Sequence, residues 1–517
     1  MKNIIKPIFG LFAVVFSLLL IGGGCTTSKR LVATPGKVRV TFIQMNDVYE
    51  IAPLAGGKIG GMARVGYLSK KIKAANPNSF LIMAGDFLSP SIYNTLKVDG
   101  VRVRGRQMVD VMNAAGTDYA MFGNHEFDIT ENELQQRINE SKFKWISSNT
   151  FQNVNGKQKP FNVIENGVVA PMPEYRFVTV KDPDGTSARI GFIAVTLPFN
   201  KADYVIYTDP LSTAVEVYNR IKDSCDVVVA ITHQAMEDDI RLAERIPQLG
   251  MIMGGHEHDM RIQLVGNVWI TKAHSNVRTV YINEMIIDKA TGIVEVRPKL
   301  TPIDDKIPFD SMTEIAVQRW VSKANANFTS LGFDPNKVIL SSGEPLEGRE
   351  SLVRSKSTNL TQLVVKAMEY TAPLSEVAIV NSGSIRVDDV LQMPLTQYDI
   401  LRTMPFGGAL VEVEVKGDLL KRILTIGVKN RGTGGFLQFS TKITTDSVSV
   451  WKINNVDIDD NNWYRVVFSD FLLTGGESNL GFLTMDNPGI RKVTVNENPV
   501  KPGMADIRLA IVNYLTR

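Results

Sequence analysis

This sequence of 517 residues is poor in cysteine, histidine and net charge. There are two cysteines, Cys25 and Cys225, too few for a disulfide-built scaffold. Stability must come from core packing, which a chain of this length can supply. Lys and Arg total 57 against 54 Asp and Glu, a net charge of +3. Two of those positives, Lys2 and Lys6, lie at the extreme N-terminus, so the remainder is close to neutral. No basic stripe marks a nucleic-acid polymer as partner. No internal repeat or low-complexity tract is present, which excludes solenoid and disordered classes. Hydrophobic residues make up 44%, the content of a soluble globular chain with an ample core.

The N-terminus reads "MKNIIKPIFGLFAVVFSLLLIGGGCTTSKR". A positive start precedes an apolar run over 8–21 that is short for a membrane span. Three glycines and Cys25 follow. The pattern resembles a bacterial lipoprotein signal, although Gly22 stands where that pattern usually has Leu. The other reading is an ordinary secretory signal with an incidental cysteine. The lipoprotein reading gives a signal over 1–24, lipid on Cys25, a polar tether over 25–37, and an exported protein anchored to a bacterial membrane. Cys225, before "DVVVAIT", is expected to be a buried, inert thiol.

From residue 38 short apolar runs alternate with amphipathic helices. "VRVTFIQM", "FLIMA", "DYAMF", "RIGFIAVT", "DVVVAIT" and "MIMG" read as strands. "GMARVGYLSKKIKAAN", "GRQMVDVMNAAG", "STAVEVYNRIKD" and "DDIRLAERIPQL" read as helices. This is the signature of an α/β domain, here placed at 38–305. A linking segment over 306–335 carries a helix from 312 to about 328, with Met312, Ile315, Ala316, Trp320 and Ala324 on its apolar face. From 336 to 517 a second domain mixes helices and strands.

The scarcity of histidine makes its placement informative. The five are His125, His233, His256, His258 and His274, and the first four fall just after strands. In α/β sheets, ligands gather at the loops beyond the carboxyl ends of strands. The same loops carry Asp47, Asp86 and Asn124. Imidazoles among hard oxygen donors suit a pair of divalent ions such as Mn, Zn or Fe. A lone "GD" is usually a turn, but "GNHEFD" and "GGHEHD" put several polar side chains where packing seldom needs them.

The ordered set "NDVY", "AGDF", "GNHEFD", "ITH" and "GGHEH" resembles the calcineurin-like metallophosphatases. "RSKSTNL", "NSGSIR", "MPFGG" and "FLLTGGE", further on, resemble the substrate domain of the 5′-nucleotidase branch. The resemblance covers nearly everything after residue 38. It implies a four-layer α/β/β/α metallophosphatase domain followed by an α+β substrate-binding domain. It also implies one metal at Asp47, Asp86 and His258. A second would lie at Asp86, Asn124, His233 and His256, with Asp86 bridging. His125 would stabilise the phosphoryl oxygen or leaving group, with Asp128 orienting its ring. His274 is taken as structural or peripheral. The family usually has histidine where this chain has Tyr49. As phenolate, Tyr49 would favour a hard trivalent ion; as neutral phenol it merely packs, and site one has lost a ligand.

In the second domain the resemblance implies that Phe406 and Phe471 hold a nucleobase between their rings. Glu477 would bond ribose hydroxyls, Asn381 would help position the base, and Arg354 and Arg386 would grip phosphate. The function implied is hydrolysis of nucleoside 5′-phosphates by a two-metal-activated water. Alternatives on the same scaffold are a nucleotide-sugar pyrophosphatase, a cyclic-nucleotide phosphodiesterase, or a binding lipoprotein whose catalysis has decayed.

Overall fold

The computed structural model describes residues 34–199, 202–446, 450–492 and 502–517. The leader, Cys25 and the tether up to residue 33 lie outside them. Among the described residues no helix is long and apolar enough to cross a membrane.

Two six-stranded sheets face each other in the first domain. In the first, β1 (Lys37–Met45), β2 (Ser79–Met83) and β3 (Tyr119–Ala120) run parallel, with Thr279–Asp288 antiparallel on the other side of β1. In the second, β4 (Ser187–Thr196), β5 (Val227–His233), β6 (Met251–Gly255) and β7 (Val268–Lys272) run parallel, and the antiparallel strands Tyr175–Lys181 and Arg261–Val265 form the two edges.

The two-residue side-chain period of a strand explains the layering. Val38, Val40 and Phe42 of β1 pack with Phe192, Val229, Ile231 and Met253 between the sheets. Ile43 and Met45, on the other face, join the helical layer of α1 (Met62–Ala75) and α2 (Arg106–Ala115). The outer face of the second sheet buries Ala230 and Ile252 against α3 (Pro210–Ile221) and α4 (Met236–Arg245). The result is the expected four-layer α/β/β/α arrangement.

Helix α5 (Ser311–Ser330) forms where the spacing predicts it, but on a rotated face. Thr313, Ala316, Val317, Trp320, Ala324 and Phe328 are buried, whereas Met312 and Ile315 are 63% and 60% exposed. The inward stripe is therefore set by Trp320, whose indole Nε1 donates to Asp110 Oδ2 at 2.7 Å. The helix packs on α1 and α2, so it is part of the first domain's helical layer. Cys225 is half-buried rather than buried, and burial raises its thiol pKa.

The second domain is built on a five-stranded mixed sheet. Its order is Leu437–Phe439, β8 (Val377–Asn381), Trp463–Ser469, Leu410–Lys416, Ile490–Lys492. Helices α6 (Asn359–Thr371) and α8 (Ile507–Leu515) pack with Ala378 and Val380 on one face, and α7 (Gly417–Lys429) with Val377 and Ile379 on the other.

Candidate metal centre and interdomain cleft

Strand register brings the candidate residues together. Met45 pairs with Met83, and Met83 with Ala120, so the first sheet's parallel strands end nearly flush. Asp47, Asp86 and Asn124 follow within a few residues. In the second sheet Thr196, His233 and Gly255 are in register, which sets His256 beside His233. Their rings are 5.5 Å apart. The turns are tight. Asp47, Asp86, His256 and His258 have φ of 53°, 56°, 93° and 56°, in the left-handed region that costs non-glycine residues energy. Gly85 is needed because a Cβ there would lie 2.6 Å from His233 Nδ1 and from the Gly123 nitrogen.

Asp47, Asp86 and His233 are buried, and their ligand atoms lie within 4.8 Å of one another. His233 Nδ1 donates to the Ala84 carbonyl at 2.8 Å, which turns Nε2 toward Asp86 Oδ2 at 3.0 Å. His258 Nε2 is 3.3 Å from Asp47 Oδ1 and 2.9 Å from the Tyr49 hydroxyl. That hydroxyl donates in turn to Asp86 Oδ2 at 3.3 Å.

Three buried polar atoms here, Asp47 Oδ1, Asn124 Oδ1 and His233 Nε2, lack a well-aligned hydrogen bond; His233 Nε2 and Asp47 Oδ1 have the charged neighbours Asp86 and His258 beside them. Buried polar atoms seldom lack well-aligned partners, so donors left this way beside the Asp47–Asp86–His233 group suit metal coordination. The electrostatics agree. Burial lowers the basicity of His233, yet Asp86 and Asp47 outweigh it and raise its pKa to about 9. Burial and His233 together hold His256 neutral down to about 3, the state in which imidazole is a ligand. The pocket demands positive charge and offers nitrogen and oxygen donors for it.

Tyr49 is buried, and burial together with Asp86 and Asp47 raises its phenol pKa well above the ordinary value. With no cation beside it, the phenol is held as a neutral hydrogen-bonding group. His125 lies beside the centre, its backbone N–H donating to Asp86 Oδ1 at 2.8 Å and its Nδ1 to Asp128 Oδ2 at 2.7 Å. Burial would lower its pKa, but Asp128 and Asp86 raise it to about 10. His274 is half-buried and shares two contacts with Thr279 Oγ1.

Several supporting residues carried no signal of their own in the sequence. Glu126 is fully buried and accepts from the backbone of Asp86, Phe87, Leu88 and Gly123, which fixes the "AGDF" loop against the "GNHEFD" loop. Asn46 donates to Asp47 Oδ2 at 2.7 Å. Glu257, between the two histidines of the turn, points away to the buried Lys272 Nζ at 2.6 Å, which also meets Asp239 at 2.9 Å. Asp388 comes from the second domain, and its carbonyl accepts from His258 Nδ1 at 2.7 Å. Only the fold brings these segments together.

A cleft of about 600 Å³ opens between the domains over Asp86, Asn124, His125, His256 and His258. Arg354 lines it from the second domain. Arg386 approaches Asp128 at 3.9 Å, next to His125. The remaining second-domain candidates form a separate group. Asn381 Nδ2 donates to Glu477 Oε2 at 2.6 Å. Phe406 and Phe471 are 68% and 43% exposed. They flank a backbone pair in which the Asp470 N–H donates to the Ala409 carbonyl at 2.9 Å, so both rings stand on neighbouring loops at one end of the sheet. Neither ring lines the 600 Å³ cleft.

A calcineurin-like phosphoesterase family model matches residues 40–260, and the 5′-nucleotidase C-terminal domain matches residues 338–485. The chain belongs to the 5′-nucleotidase family. This family member is 24% identical over 421 residues to the 5′-nucleotidase of Bos taurus, covering 74% of this chain and 69% of that one. It is 24% identical over 461 residues to Protein UshA of Yersinia enterocolitica, covering 79% and 80%. Among solved structures it resembles a 5′-nucleotidase precursor from Thermus thermophilus, with a TM-score of 0.63, 21% identity and coverage of 93% and 96%. The sulfate thiohydrolase SoxB of Thermus thermophilus has the same fold at a TM-score of 0.60 and 16% identity, covering 92% and 94%. Membership of this family marks the protein as a hydrolase whose fold implies divalent metal ions. The fold alone does not fix the substrate.

Proposed function

We propose that this 5′-nucleotidase family member hydrolyses nucleoside 5′-monophosphates to nucleoside and phosphate. The observation that carries the reading is the pairing of a buried donor cluster with an exposed two-ring platform on the second domain. Asp47, Asp86 and His258 would hold one divalent ion, and Asp86, Asn124, His233 and His256 a second. Such ions supply Lewis-acid polarisation of the phosphoryl oxygens and activation of water. Its imidazolium held by Asp128, His125 donates a proton or hydrogen bond to the departing oxygen. Arg354 and Arg386 orient the phosphate. Phe406 and Phe471 stack on the base, a contact of about 1–3 kcal/mol, and Asn381 with Glu477 takes the sugar and base edge.

The domain limits that accompany this reading are 38–305 for the metal domain, 306–335 for the connecting segment, whose helix α5 packs onto the metal domain, and 336–517 for the substrate domain. Export and a lipid anchor on Cys25 complete it. Because the platform residues do not line the cleft, the base and the phosphate would be read at separate places. The test is the ratio of kcat/KM for a nucleoside monophosphate to that for a base-free phosphate ester. Phe406→Ala and Phe471→Ala should each lower this ratio about tenfold. An unchanged ratio in both would leave only an unspecified phosphoesterase.

A further inference from the structure

We propose that Glu350 sorts substrates in this cleft by charge, competing with substrate phosphate for Arg354 and favouring monophosphates over di- and triphosphates. The inference rests on the nucleotidase reading above and refines it.

Every arginine lining the cleft is already matched to a carboxylate. Arg354 Nη1 meets Glu350 Oε1 at 2.5 Å, Arg349 Nη1 meets Asp259 Oδ2 at 2.5 Å, and Arg261 lies 3.9 Å from Asp259. Arg349 is further engaged by Glu347. The Glu350–Arg354 pair lies beside His125 at the edge of the candidate centre. Glu350 belongs to a group with His125 and Asp388 whose ligand atoms all lie within 4.8 Å of one another. Its position is fixed at the backbone, where its N–H donates to Asp388 Oδ1 at 2.6 Å. The two side chains are only 19% and 15% exposed, so water screens the pair poorly. Arg354 keeps one buried donor, Nε, without a partner.

An entering phosphate must therefore share Arg354 with Glu350 or displace it. A single phosphoryl group can be offset at the centre below. Further phosphates would lie against Glu350 and Asp388 with no unmatched arginine among the described residues that line the cleft. A unit charge about 7 Å from a like charge, at an effective dielectric constant of 20–40, costs about tenfold or more in affinity. Glu350 thus acts on binding, with smaller effect on turnover of a bound monophosphate.

The test uses the full-length, metal-loaded protein at fixed free metal concentration, with metal content measured before and after. Orthophosphate and pyrophosphate are compared as inhibitors of hydrolysis of a base-free ester. Glu350→Gln should improve pyrophosphate inhibition about tenfold relative to orthophosphate, whereas Glu350→Asp, which keeps the charge, should leave the ratio near that of the natural protein. Equal ratios in the Gln variant and the natural protein would overturn the proposal. So would equal shifts in the Gln and Asp variants, which would show a packing role. The nucleotide preference is measured separately in the same proteins. Its loss would remove the nucleotidase reading while the inhibitor ratio still decides the role of Glu350.

Discussion

Replacing Tyr49 with Phe removes one oxygen atom that bridges His258 and Asp86 in the candidate centre. The hydroxyl lies 2.9 Å from His258 Nε2 and 3.3 Å from Asp86 Oδ2, both buried and both charged when no cation is present. A hydrogen bond to a charged group contributes about 1.5–3 kcal/mol. A cation held by Asp47 and His258 would use the same His258 nitrogen, so metal binding must break the contact with Tyr49. The phenol therefore stabilises the metal-free form more than the metal-bound form. Its loss should strengthen binding of the first ion by about 1.4 kcal/mol, a factor of about ten. The metal-free protein should also melt at a lower temperature than its natural counterpart, while the metal-loaded proteins should melt together. Calorimetric titration of chelated protein with Mn or Zn measures the first effect, and thermal melts with and without chelator the second. If Tyr49 is instead a ligand, Tyr49→Phe would bind the first ion more weakly, and the account of it as a neutral hydrogen-bonding group would be refuted.

Two further outcomes follow from the same geometry. His125→Ala should reduce turnover by about 10²–10⁴ and leave metal content intact, as the ring contacts Asp128 and not the donor cluster; elemental analysis alongside kinetics checks both. Glu50, buried against Tyr398 of the second domain, is raised to about 7, chiefly by burial and against the attraction of Arg402. A carboxyl group raised in the folded state stabilises it fully below its unfolded value of about 4.5 and loses that contribution as pH rises through 7. Glu50→Gln should therefore flatten a fall in stability of about 3 kcal/mol between pH 4.5 and 7.5, read from denaturant midpoints; an unchanged pH profile would place the effect elsewhere.

The alternation of short apolar runs with helices was enough to foresee an α/β first domain, since that follows from local periodicity; its four layers were implied by the family resemblance alone. The candidate ligand turns were legible for a related reason. In this fold the polar residues must follow the parallel strands, and "GGHEHD" lies directly after β6. The orientation of α5 was not legible. Met312 and Ile315 fit an apolar stripe as well as Val317 and Phe328 do, and only contact with α1, α2 and Asp110 selects between them. The supporting residues were hidden for another reason. Glu350 and Asp388 are more than 90 residues from any residue of the candidate centre, and no spacing rule links them to it. The packing of the two domains joins Asp388 to His258. The platform of Phe406 and Phe471 lies between these cases. The family resemblance alone singled out these rings in the sequence, and their exposure is what distinguishes them from core residues.

The central claim is that two divalent ions at the Asp86 cluster and a base-reading platform act together on nucleoside monophosphates. The most direct measurement is phosphate release from a nucleoside 5′-monophosphate by purified protein, before chelation, after it, and after titrating metal back, with metal content recorded at each step. The account predicts loss of phosphate release on chelation without loss of fold, and recovery that saturates at two ions per chain. Phosphate release at the original rate from fully chelated protein would contradict it.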